Sequence, residues 1–114
     1  MRTSAIETIA AWSRLASAFS CLARRRAMDA IADTLGCMAA GVDDFSTQAV
    51  RRAVATQISA SGESAVIGGG RAPAAIAAMV NGTAAHALDY DDNFYPAISH
   101  ASAVLVPAEV IFRV

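Results

Sequence analysis

The sequence predicts an all-α fold with at most one short extended segment, near residues 64–67, and three observations carry that prediction. Alanine leads an apolar composition of 55% hydrophobic against 17% charged residues, and alanine is the strongest intrinsic helix former. Apolar side chains recur three and four residues apart, the interval that lines one face of a helix. Serine, aspartate and proline stand where these runs begin, and glycine stands where they stop.

Ser4-Ala5-Ile6-Glu7 has the spacing of a capping box, and Ile9, Trp12, Ala16 and Phe19 follow at helical intervals, which predicts a first helix from about Ser4 to Ala18. A second stripe runs through Ala27, Ala30, Ile31, Thr34, Leu35 and Met38, with Gly41 as a left-handed terminator. Asp43, Asp44 and Ser46 are cap candidates for a third helix. It carries Val50, Val54 and Ile58 on one face and Arg51 and Arg52 on the other, and should end near Ser61-Gly62. Ser64 to Ile67, ahead of three glycines, reads as a short strand or an extended connector. Pro73 fits the first turn of a fourth helix with a buried stripe of Ile76, Met79, Val80, Thr83, Ala84, Ala87 and Leu88, and this helix delivers its last turn to Asp89. A polar loop from Asp91 to His100 leads into a last apolar segment, in which Pro107 either kinks a helix or opens its main part.

Composition excludes several functions. The net charge is −1 and every basic residue is arginine, so the electrostatic footprint of a nucleic-acid binder is missing. Arg24, Arg25 and Arg26 read as a solvated helix face. Cys21 and Cys37 lie too far apart for a CxxC pair, which fits a reducing cytoplasm. Arg2, Glu7 and Arg14 interrupt any secretory apolar core, and no apolar run approaches the ~18 residues of a membrane span. The chain therefore reads as cytoplasmic, although its Arg-, Ser- and Ala-rich start also has the composition of a mitochondrial presequence.

The densest group of reactive side chains is His86, Asp89, Tyr90, Asp91, Asp92 and Asn93, followed by His100. As a calcium loop it fails, because Phe94 stands where the sharp turn needs glycine and His100 where the bidentate glutamate belongs. As a zinc site it offers suitable ligand types at a spacing that matches no established pattern, so no metal is expected. Two readings stay open. In one, Asp91, Asp92 and Asn93 cap loop amides while His86 bonds Asp89 one turn along its helix. In the other, crowded carboxylates and a histidine form an acid-base site. Elsewhere, Gly68-Gly69-Gly70-Arg71 before a helix is a flexible turn in which Arg71 helps attract an anion. Asn81-Gly82 inside a helix implies close packing or a local bend.

Val80-Asn81-Gly82-Thr83-Ala84-Ala85-His86-Ala87-Leu88-Asp89-Tyr90-Asp91-Asp92, followed by His100, closely resembles the signature region of the MmgE/PrpD family. The likeness extends upstream to Asp33-Thr34-Leu35-Gly36-Cys37 and downstream to Ser102 through Ala108. It implies the amino-terminal part of a helical domain whose partner is a smaller α+β lid. It also implies a metal-independent lyase or isomerase without a cofactor, acting next to a carboxylate on a small polycarboxylate. Members include 2-methylcitrate dehydratase, cis-aconitate decarboxylase and iminodisuccinate epimerase. By position, the resemblance makes Asp89 and His100 catalytic, and Asn93, His86 and Arg71 are the candidate substrate contacts. Asn93 stands where many members have threonine, and Ala101 replaces the proline that usually follows the histidine.

The apolar excess, with a mean hydropathy of +0.42, and the ending in Val-Ile-Phe-Arg-Val predict that residues 1–114 are part of a larger helical domain, inactive alone and without its lid. A homodimer is the expected state of the full-length form. A truncated, non-enzymatic remnant and a small helical interaction module are the rival expectations.

Overall fold

The computed structural model describes residues 3–95 and 98–110. Among them are α1 (Ala5–Leu15), α2 (Cys21–Ala40), α3 (Phe45–Ala53), a single 3-10 turn (Ala55–Gln57), β1 (Ser64–Ala65), β2 (Arg71–Ala72), α4 (Ala74–His86) and α5 (Ala101–Val110). The end of the last apolar run, residues 111–114, lies outside the described residues. The fold is mostly helical with one two-stranded antiparallel sheet, as the sequence predicts.

The capping box forms: the Ser4 hydroxyl accepts the Glu7 amide, and the Glu7 carboxylate accepts the Ser4 amide at 2.8 Å. α1 stops at Leu15, short of Ala18, and none of its residues is buried. Trp12 meets Phe19 edge to face across the bend into α2, with ring centroids 6.2 Å apart.

α2 buries Thr34, Cys37 and Met38, a stripe rotated from the predicted one, so Leu35 is exposed and Cys37 takes its place. The rotation follows from how closely α2 approaches α4. A Cβ on Gly41 would lie 2.1 Å from the Ala84 carbonyl oxygen. Gly41 is therefore needed for contact; its φ of −86° is not left-handed, which corrects the expected terminator.

α3 is shorter than predicted. Asp44 caps it by accepting the Ser46 amide, and the Thr47 hydroxyl donates to the Gly41 carbonyl at 2.8 Å. Past the 3-10 turn the chain is extended, because Ser59 exchanges two backbone hydrogen bonds with Arg71 (2.8 and 2.7 Å) instead of continuing a helix.

The segment near 64–67 is half of a hairpin, with Ser64 opposite Ala72 and Ala65 opposite Arg71. Its turn needs glycine at Gly68, Gly69 and Gly70, whose φ values are 80°, 99° and 90°. Arg51, predicted on the solvent face, reaches across instead and donates to the carbonyls of Ile67, Gly68 and Gly69. Asn81, buried in α4, accepts the Ile67 amide at 2.8 Å and donates to the Ala65 carbonyl at 3.0 Å.

α4 is the centre of the fold, packed against α2, α3, α5 and both strands. Pro73 is its cap rather than its first residue. Ala77, Val80, Asn81, Ala84 and Ala85 are its buried residues, while Met79 and Leu88 of the predicted stripe are exposed. Small side chains suit a helix approached from several sides, because backbones can then come close. Gly82 shows the same economy towards α5: a Cβ there would lie 3.1 Å from the Ala103 carbonyl. Pro107 lies inside α5, and without an N–H it leaves that carbonyl free of its usual helical donor.

Candidate active site

The site forms where α4 ends. α4 delivers His86, and three residues later Asp89 turns the chain through a left-handed conformation, φ 55°, which aspartate tolerates better than most residues. The Asp89 amide closes the turn on the His86 carbonyl at 3.0 Å. The reversal leaves the Asp89 carboxylate in solvent, with its side chain 80% exposed. It also folds Asp91 inward, with its side chain 0% exposed.

His86 Nδ1 lies 3.0 Å from Asp91 Oδ1 and 3.3 Å from Oδ2. His86 is thus paired with Asp91, which corrects the expected one-turn bond to Asp89. The reason is that α4 ends at His86, so Asp89 no longer lies on the same helical face. His100 enters from the other side, immediately before α5. Its buried Nδ1 lies 3.2 Å from Asp91 Oδ2, within ion-pair range but without the alignment of a hydrogen bond. Its Nε2 is 3.9 Å from Asp89 Oδ1. The two imidazoles sit 4.4 Å apart with their planes tilted by 56°. Asp92 fixes this approach, because its Oδ1 accepts the Ser102 amide at 3.0 Å and satisfies an orphan donor in the first turn of α5.

His86, Asp89 and His100 line one depression of about 950 Å³, together with Met79, Thr83, Val104 and other mostly small apolar residues. Asp91 does not line it and stands behind the two rings. His86, Asp89, Asp91 and His100 each offer a ligand atom, all within 4.8 Å of one another, so the donor set is chemically able to take a divalent ion. As arranged, the Asp91 carboxylate lies 3.0 Å from His86 Nδ1 and 3.2 Å from His100 Nδ1.

The remaining sequence candidates stand apart from this group. Asn93 is exposed on the loop and makes no side-chain hydrogen bond among the described residues. Arg71 donates to the carbonyls of Gly62 and Glu63, both at 2.6 Å. It precedes the thirteen-residue α4, whose far end carries His86, roughly 20 Å away at 1.5 Å per residue. Asp91 is what sequence reasoning missed: a spacing of five from His86 is not a helical pairing, and only the turn at Asp89 makes it one.

A buried thiol borders the site. Burial pushes the Cys37 thiol up, and the negative charges of Asp33 and Asp91 add to the effect.

No match is found among curated proteins or among solved structures. A family model, the MmgE/PrpD N-terminal domain, matches residues 7–110 of the 114, the span that contains the signature helix, the histidine pair and α5. The chain belongs to the MmgE/PrpD family.

Proposed function

We propose that the chain supplies one wall of an active site for proton transfer at the carbon next to a carboxylate, in a lyase or isomerase acting on small polycarboxylates of the methylcitrate, cis-aconitate or iminodisuccinate type. The observation that carries this reading is the placement of Asp89 and His100 on one depression, with Nε2 and Oδ1 3.9 Å apart. In this reading His100 takes or returns the proton, and Asp89 lies beside the substrate. When protonated, His86 is a hydrogen-bond donor for a substrate carboxylate. The exposed loop position of Asn93 suits a contact at the outer edge, whereas Arg71 lies too far away to touch the same ligand.

The test is a titration of the isotope-labelled chain with each of the three acids, followed by NMR. Shifts centred on His86, Thr83 and His100, weakened about tenfold or more in His100→Ala, are expected. Shifts centred elsewhere, or none, sink the reading. A parallel titration with Zn²⁺ separates the other chemistry open to this donor set: tight uptake by all four side chains, with no response to the acids, favours an ion site.

A further inference from the structure

We propose that Asp91 is a positioning residue shared by both imidazoles, holding each ring by Nδ1 so that both Nε2 atoms serve the depression; this rests on the acid-base reading above. Asp91 is the carboxylate of the site that is removed from water, with its side chain 0% exposed against 80% for Asp89. A buried carboxylate is costly unless it is partnered. Its partners among the described residues are the two histidines: His86 Nδ1 lies 3.0 Å from Oδ1 and 3.3 Å from Oδ2, and the buried His100 Nδ1 lies 3.2 Å from Oδ2, close enough that a small rotation of the ring would align it as a donor.

The chemistry follows from which nitrogen is held. A carboxylate accepts hydrogen bonds and donates none, so it favours a proton on each Nδ1. In a neutral ring the lone pair then resides on Nε2. Each Nδ1 faces the buried Asp91, while His86 and His100 line the depression and Asp91 does not, which leaves Nε2 as the nitrogen to meet a ligand. The same arrangement explains why the rings lie only 4.4 Å apart, since a single carboxylate has to reach both. A ligand would meet two Nε2 atoms side by side, one free to exchange a proton and the other, once protonated, free to hold a carboxylate.

Long-range proton–nitrogen NMR of the 114-residue chain, labelled at histidine and held at a pH where both rings are neutral, reads the tautomers directly. Both rings are expected as Nδ1–H with an unprotonated Nε2. Asparagine offers only one acceptor oxygen and an amino group, so Asp91→Asn should invert at least one ring to Nε2–H. Asp91→Ala should release both. A ring found as Nε2–H in the unaltered chain overturns the shared role whether or not the variants fold, as do unchanged tautomers in a folded Asp91→Asn chain. The ligand titration is a separate readout. Correct tautomers without any response to the acids would leave Asp91 in its role and sink the proposed function, and a response to the acids with wrong tautomers would do the reverse.

Discussion

His86 and Asp91 are joined across the end of α4 by a 3.0 Å contact between Nδ1 and Oδ1, five residues apart, where helical neighbours are three or four apart. The left-handed Asp89 makes the joint, turning the chain so that Asp91 comes back to His86.

Turnover by residues 1–114 alone should be undetectable on all three acids. Removing a proton beside a carboxylate develops negative charge that needs cationic or hydrogen-bonding support in place beforehand. Among the described residues lining the depression there is no arginine; Arg51 is committed to carbonyls of the hairpin turn and Arg71 to those of Gly62 and Glu63 ahead of β1. NMR of each acid incubated with the purified chain checks this, and clear product formation would show that the histidine–aspartate group suffices.

Cys37 should give the protein an alkaline limit. Burial first, and then the charges of Asp33 and Asp91, raise its thiol above the ordinary range. A group raised in the folded state contributes stability that is present below the unfolded value, about 8.5 for a thiol, and lost as pH climbs towards the folded one. Denaturant midpoints should therefore fall more steeply above pH ~8.5 in the unaltered chain than in Cys37→Ser. At neutral pH, exposed Cys21 should react with a thiol reagent about tenfold or more faster than buried Cys37. Equal slopes and equal labelling rates would contradict the shift.

Gly41→Ala should destabilise the whole fold rather than one helix end. The added Cβ would meet the Ala84 carbonyl at 2.1 Å, a backbone atom that cannot rotate away. Overpacking of this kind costs roughly 1–3 kcal/mol or more. Gly36→Ala is the control, because nothing lies within 4 Å of its Cβ position. Similar unfolding midpoints for the two variants would mean that α2 and α4 can move apart freely.

Asn81→Leu should loosen the hairpin. It breaks the part-buried hydrogen bonds of the Ile67 amide and the Ala65 carbonyl, which costs less for each than the roughly 1–3 kcal/mol of a fully buried group left unpaired. Hydrogen exchange should speed up first at Ile67 and its neighbours in the turn. Uniform acceleration across α2 and α5 would place the role of Asn81 in the core instead.

Much of this architecture was legible in the residues. The Ser4 and Glu7 box, the break between α2 and α3, the extended segment near 64–67 and the helix carrying His86 all follow from local rules of capping and period. What local rules missed came from contacts across the chain. Leu35 and Cys37 exchange places because α2 meets α4 through Gly41. Arg51 and Arg71, both readable as solvent or anion contacts, serve backbone carbonyls instead, Arg51 those of the distant hairpin turn and Arg71 those of Gly62 and Glu63. The site was legible as a cluster, and Asp89 and His100 do share a depression. The role of Asp91 depended on one backbone angle, for which a sequence offers only the weak hint that aspartate tolerates it.

The two histidines are separated by fourteen positions along the chain, so the rings come together by closing a short loop between the ends of two packed helices. The entropy of closing a loop rises only slowly with its length, by about 0.6 kcal/mol for each doubling, and the Asp92 anchor on α5 shortens the free portion further. The histidine–aspartate group should then assemble in the same folding step that docks α5 on α4. During refolding, the His86 and His100 ring resonances would report the docking of α5 on α4.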